Sequence, residues 1–197
     1  MSSASNKIIQ AAAGNAGEGL YVEEVFSTYL YEGNGTGQSS SFERPITNNI
    51  NLEDEGGLVW IKARGSTENH HLFDNERSTN SLSSNETSAQ SNFGSTGVSS
   101  FNSTGFTIGR NDKINGNAEG PFVSWTFRKA PKFFDVVTYT GTGLTAQNIS
   151  HNLGSVPGCI IVKQTDNTND WWVYHRGVDA TSPEDYVLKL NGTNARD

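Results

Sequence analysis

Residues 56–62 read Gly56-Gly57-Leu58-Val59-Trp60-Ile61-Lys62, and the polar run Gly65-Ser66-Thr67-Glu68-Asn69 carries the chain on to His71-Leu72-Phe73. Leu58 to Ile61 are apolar at every position, the pattern of a strand covered on both faces. A turn-forming run followed by a second apolar segment predicts the return strand of a hairpin. The chain writes this pair twice. Gly158-Cys159-Ile160-Ile161-Val162-Lys163 passes through Asp166-Asn167-Thr168-Asn169-Asp170 into Trp172-Val173-Tyr174. Gly57, Lys62 and Phe73 match Gly158, Lys163 and Tyr174 at one fixed offset of 101 residues. Alternation therefore places Trp172 and Tyr174 on the face of His71 and Phe73, which predicts core burial for both.

The flanking segments carry the same signature. Val25-Phe26-Ser27-Thr28-Tyr29-Leu30-Tyr31 is β-branched and aromatic and ends at the turn Glu32-Gly33-Asn34-Gly35. Leu82-Ser83-Ser84-Asn85 reads as a shorter strand, and the polar residues 86–100 as a long loop. Phe106-Thr107-Ile108 and Phe122-Val123-Ser124-Trp125-Thr126-Phe127 read as further strands. In the last of these Phe122, Ser124 and Thr126 share one face and Val123, Trp125 and Phe127 the other, the alternation of a sheet with one face on a core. Arg128-Lys129-Ala130-Pro131-Lys132 then interrupts the pattern and marks a seam.

Beyond the seam the chain restarts. Val136-Val137-Thr138-Tyr139-Thr140-Gly141-Thr142-Gly143 repeats the layout of Thr28 to Gly35, and Leu188 to Ala195 repeats that of Leu82 to Ala89. Matched blocks in the same order, offset by 101 to 108 residues, imply an internal duplication. The expected architecture is all-β: tandem β-sandwich units comprising an N-terminal anchor or linker over residues 1–20, a first unit over 21–130, and an incomplete second unit over 131–197. The second copy stops short of counterparts to Phe101, Phe106 and Trp125, which leaves open edges and uncovered apolar surface. Either a longer polypeptide or another subunit is expected to complete it.

Composition agrees. Gly (21), Asn (21), Ser (22) and Thr (18) favour turns and half-exposed strands over helix interiors. Aromatic residues at 10% are too frequent for a disordered polar tract. A net charge of −7 argues against a nucleic-acid groove, which needs clustered Lys and Arg. The single cysteine, Cys159, excludes an intrachain disulfide, and its place in an apolar run predicts a small buried side chain. Neither a signal peptide nor a membrane span is legible, so no membrane insertion is expected. Lys7-Ile8-Ile9-Gln10-Ala11-Ala12-Ala13 has the composition of two helical turns before Gly14, too short to be stable alone, and reads as an anchor that orders on a partner.

Several of these blocks also resemble a known group. Val25 to Tyr31, Gly57 to Lys62, His71-Leu72-Phe73-Asp74, Ser103 to Gly109, Trp125 to Val137 and Ile149 to Pro157 resemble repeat domains of virion structural proteins from tailed phages of marine bacteria (cyanophages among them). The resemblance spans about residues 20–197. It implies jelly-roll or concanavalin-like sandwich repeats and a tail-fibre-like role; it carries over no catalytic residue and no cofactor.

No residue is assigned to catalysis, to a metal or to a cofactor on chemistry. His70 and His71 lie beside Glu68 and Asp74, but neighbouring strand positions point to opposite faces, whereas a metal needs its ligands together. Asp166, Asn167 and Asp170 cluster oxygens in a loop that its counterpart in the first copy does not match, so a polar turn is expected over a calcium site. Gly33, Gly35 and Gly37 are not followed by the lysine and helix of a phosphate loop. Glu53-Asp54-Glu55 is a solvated acidic run, and no Ser/His/Asp set is legible.

Three readings of function follow. The first is a non-enzymatic virion protein in a tail fibre or similar appendage, located in the virion and made in the host cytoplasm. Lys7, Ile8, Ile9 and Gln10 would dock it on a tail adaptor, nozzle or baseplate, and it would assemble as a homo-oligomer such as a trimer, without nucleic acid. The second is a carbohydrate-binding module in which Trp171, Trp172 and Tyr174 contact a host surface glycan. The third, a depolymerase, requires carboxylates about 5–10 Å apart in a groove.

Overall fold

The computed structural model describes residues 19–39 and 41–196. The proposed anchor residues Lys7, Ile8, Ile9 and Gln10 lie outside them. A single helical turn, Val22–Val25, leads into β1 (Phe26–Tyr31), followed by β2 (Arg44–Thr47), β3 (Gly57–Ala63), β4 (His71–Asp74) and β5 (Asn80–Ser83). Then come β6 (Ser91–Asn92), β7 (Val98–Asn102), β8 (Gly105–Ile108), a helical turn at Asp112–Asn115, and β9 (Phe122–Arg128). These strands form two antiparallel sheets, one six-stranded in the order β1-β9-β3-β4-β5-β6 and one three-stranded in the order β2-β8-β7.

The core lies between the two sheets. Val59, Ile61 and Phe73 enter it from the large sheet, and Ile46, Val98, Phe106 and Ile108 from the small one. Ile50, Leu52, Ile114, Phe122 and Tyr31 complete the same cluster. Each such burial contributes roughly 1.5–3 kcal/mol, which makes this cluster the main source of stability. The fold is therefore an all-β sandwich, as the continuous apolar run of β3 and the alternation of β9 predict.

Two segments differ here from the sequence reading. Residues 86–100 are not one loop: they hold β6, a 3-10 turn at Gly94–Thr96 and the start of β7. Two apolar residues secure that polar stretch, since Phe93 meets the Phe73 ring edge-on at 5.4 Å and Val98 is buried. In β9 both faces are used, and the polar one turns inward. Ser124 and Thr126 are buried, and Thr126 Oγ1 accepts a 2.8 Å hydrogen bond from Asn48 Nδ2, which gives the Asn48 amide and the Thr126 hydroxyl a partner each. The other face carries Trp125 against Trp60 and Phe127 against Phe26, with ring centroids 5.9 and 4.9 Å apart.

A second three-stranded sheet, β10 (Cys159–Val162), β11 (Trp172–His175) and β12 (Leu188–Lys189), follows in the order β10-β11-β12. It reproduces β3-β4-β5 pair for pair. Ile61 opposite His71 becomes Val162 opposite Trp172, and Leu72 opposite Leu82 becomes Val173 opposite Leu188. The local hydrogen bonds recur as well. Lys62 Nζ donates to the carbonyls of Ala63 and Ser66, and Lys163 Nζ to those of Gln164 and Asn167. Asn85 accepts from the His70 amide and donates to Asn69; Asn191 accepts from the Trp171 amide and donates to Asp170. The duplication thus extends to side-chain detail.

The restarted block 136–143 forms no strand. Its counterpart β1 pairs with β9 alone, at the rim of the large sheet. Among the described residues the second copy has no β9, so a β1-like segment there has nothing to pair with.

Candidate functional site

The second hairpin bears two faces that meet different surroundings. One carries Trp171 and Val173, which are buried; the other carries Trp172 and Tyr174. At the repeat offset Trp171 stands where His70 stands in the first copy, just ahead of the returning strand. Its indole, 6% exposed, packs with Leu72 and Leu82, flanked by Leu58 and Trp60, on the outer face of the large sheet. Its Nε1–H donates to the carbonyls of Ser83 at 2.9 Å and Glu86 at 3.1 Å. Backbone bonds from Gln90 N to Thr165 O, 2.8 Å, and from Asn169 N to Thr87 O, 2.9 Å, flank it. Trp171 is the fastening between the second hairpin and the first sandwich.

Trp172 projects the other way and is 37% exposed. Lys189 Nζ lies 4.9 Å from its ring centroid and 2.8 Å from the Asp170 carboxylate. Hydrogen bonds from Lys189 and then Asn191 hold the Asp170 carboxyl below the usual carboxylate range. Tyr174 is half-buried, and Ile160, on the paired strand, is exposed. An exposed indole rimmed by an ammonium, a carboxylate and an amide can stack on an apolar ring face and hydrogen-bond to hydroxyls around it.

A second candidate is a polar cleft of about 260 Å³ beside β4 and β5, whose lining includes His71, Ser81, Ser83, Glu86, Phe93 and Lys113. His71 Nδ1 is 3.3 Å from Ser81 Oγ and Nε2 is 3.6 Å from Glu68 Oε1. Burial pushes the imidazole down to about 4, with Glu68 opposing, so it is neutral at pH 7. The three side chains resemble a nucleophile–base–acid chain in outline. Ser81 is itself buried, with its hydroxyl held against the His71 ring. His70 goes to the opposite face, where its Nδ1 accepts a 2.9 Å hydrogen bond from Trp60 Nε1. The adjacent histidines do not converge.

The model for the family described as "Domain of unknown function (DUF7483)" matches residues 22–197. The chain belongs to the DUF7483 family. No curated protein and no solved structure matches it. The DUF7483 span takes in both the complete sandwich and the second hairpin, so the Trp171 fastening lies within the family's domain.

In this DUF7483 chain the three aromatic residues grouped by sequence are divided by the fold. Trp171 is consumed by the junction and is closed to a surface glycan; Trp172 and Tyr174 share the free face. Core burial, expected for Trp172, does not occur: among the described residues the small sheet that covers Phe73 in the first copy has no counterpart over β11. Cys159 is likewise exposed rather than buried. It stands at the position of Leu58, but β10 is an edge strand where β3 is central. The role of Trp171 was missed from sequence, although strict alternation separates Trp171 and Val173 from Trp172. In the loop ahead of β11, Asp166 accepts from Gln164, and Asp170 is paired with Lys189.

Proposed function

We propose that the chain is a non-enzymatic structural protein of a tailed-phage virion, part of a tail fibre or similar appendage built from β-units. The observation that carries this reading is the side-chain-level repetition of the β3-β4-β5 hairpin set, fastened to the preceding unit through Trp171. Units that reproduce their own register and lock to a neighbour suit an extended, load-bearing array, in which each unit buries surface against the next. The resemblance of residues 20–197 to repeat domains of virion proteins supports the same assignment. Residues ahead of Gly19 would attach the array to the particle. Immunogold labelling of purified virions with an antibody to this chain tests it. Label on an appendage is expected, and absence of the chain from purified particles would remove the reading.

The exposure of Trp172 beside Lys189, Asp170 and Asn191 favours a second reading, a glycan-binding module on the host-facing part of the same protein. A host-polysaccharide array probed with the chain and with Trp172→Ala separates the two. Binding lost in the variant supports it, and no binding to any polysaccharide removes it.

A further inference from the structure

In the first unit β3 has a partner on each side. Its far edge is filled by β9, antiparallel, from Gly57 opposite Arg128 to Ala63 opposite Phe122. There Val59 and Ile61 are wholly buried. β10 repeats β3 residue for residue against its hairpin partner, with Cys159, Ile160, Ile161 and Val162 in the places of Leu58, Val59, Trp60 and Ile61. Among the described residues its other edge is open, because β10 ends the sheet. Ile160 is 44% and Ile161 47% exposed.

Edge strands in stable proteins are blunted by inward charges, proline, bulges or a covering segment. β10 has none of these within Cys159–Val162. Of the cations flanking it, Lys163 is folded back onto the carbonyls of Gln164 and Asn167, and the Arg176 side chain lies against Gly158. The edge is apolar within Cys159–Val162, and the same protein displays what such an edge accepts.

We infer that the free edge of β10 is a docking site for one extended, antiparallel strand with the side-chain pattern of β9. The register of the first unit gives the pattern. Opposite Ile160 and Val162 stand small hydroxylated residues, as Thr126 and Ser124 stand opposite Val59 and Ile61. Opposite Cys159 and Ile161 stand large aromatic ones, as Phe127 and Trp125 stand opposite Leu58 and Trp60. Charge favours a donor strand that ends in basic residues, as β9 runs into Arg128 and Lys129, because the chain carries a net charge of −7. A second copy fits less well: it brings the same negative charge, and its own β9 is already held between β1 and β3. Main-chain pairing would supply affinity and the alternating side chains specificity. The inference stands on the duplication alone and holds whatever particle carries the chain.

The probe is a synthetic peptide of residues 120–130 added to the whole chain, with binding followed by calorimetry and located by hydrogen exchange. Saturable one-to-one binding is expected, with new amide protection in β10 and none in β3. Ile161→Pro should weaken it at least tenfold. Ile161→Lys, at a side chain 47% exposed, should weaken it as well. Failure to bind, equal binding of a scrambled peptide, or binding indifferent to both variants overturns the proposal. So does a homodimer in sedimentation that Ile161→Lys dissolves, since the occupant would then be a second copy. A negative result here leaves the appendage assignment untouched, and virion labelling tests that separately.

Discussion

Trp171→Ala should release the second hairpin from the first sandwich while leaving that sandwich folded. The indole is 6% exposed and packs on Leu72 and Leu82, and its N–H serves two carbonyls, Ser83 and Glu86. Large aromatic truncations in cores cost about 3–5 kcal/mol. The lower end applies here, because Leu58 and Trp60 beside it are only half-buried and water can reach the freed carbonyls. A loss of about 3 kcal/mol corresponds to roughly a hundredfold shift toward the opened junction. Hydrogen exchange should therefore accelerate about a hundredfold in β10–β12. β3 and β9 should keep their protection, since the main core cluster does not include Trp171. Trp171→Phe, which keeps most of the ring but not the donor, should cost about 1 kcal/mol. Unchanged exchange in β10–β12 after Trp171→Ala would refute the fastening. An equal loss of protection in β3 and β9 would refute it too, because the two parts would then unfold as one.

Three further outcomes are expected. Burial holds the His71 imidazole at about 4 in the folded chain. The unfolded chain takes up that proton below about pH 6.5, so stability is full above pH 6.5 and falls by about 3 kcal/mol as pH drops toward 4. Urea midpoints across this range should show the slope, to which His70 adds in the same direction, and His71→Gln should flatten most of it. Thr126→Val leaves the buried Asn48 amide without its 2.8 Å acceptor and should lower stability by about 1–3 kcal/mol in denaturant unfolding. Gly57→Ala would place a Cβ 2.1 Å from the Phe127 carbonyl oxygen and should cost about 2 kcal/mol. Its counterpart Gly158→Ala meets only the flexible Arg176 side chain, at 3.2 Å, and should be close to neutral by the same measurement. A comparable cost at both glycines would mean that β10 is not an open edge.

The candidate surface was partly legible. The offset between Gly57 and Gly158 locates the second hairpin, and the structure keeps its pairing register. What sequence alone could not reveal was which hairpin face would be covered. The pattern assigns Trp172 and Tyr174 to a core by analogy with His71 and Phe73, but the sheet over Phe73 is a long-range partner, and among the described residues it lies over one copy only. Cys159 fails for the same reason: an apolar run is buried or exposed according to whether a strand lies beside it.

Local pattern therefore determined the strands, the hairpins, the all-β class and the duplication, because each depends on alternation and turn chemistry within a few residues. Tertiary structure decided the rest. It turned the polar face of β9 inward by pairing Thr126 with the distant Asn48, drew residues 91–102 into two sheets around Phe93 and Val98, and left 136–143 without a strand for want of a partner. The opening stretch shows the division most clearly. Leu58 to Ile61 and Cys159 to Val162 are equivalent in pattern and in hairpin register, and only the presence of β9 beside the first makes one an interior strand and the other an open edge.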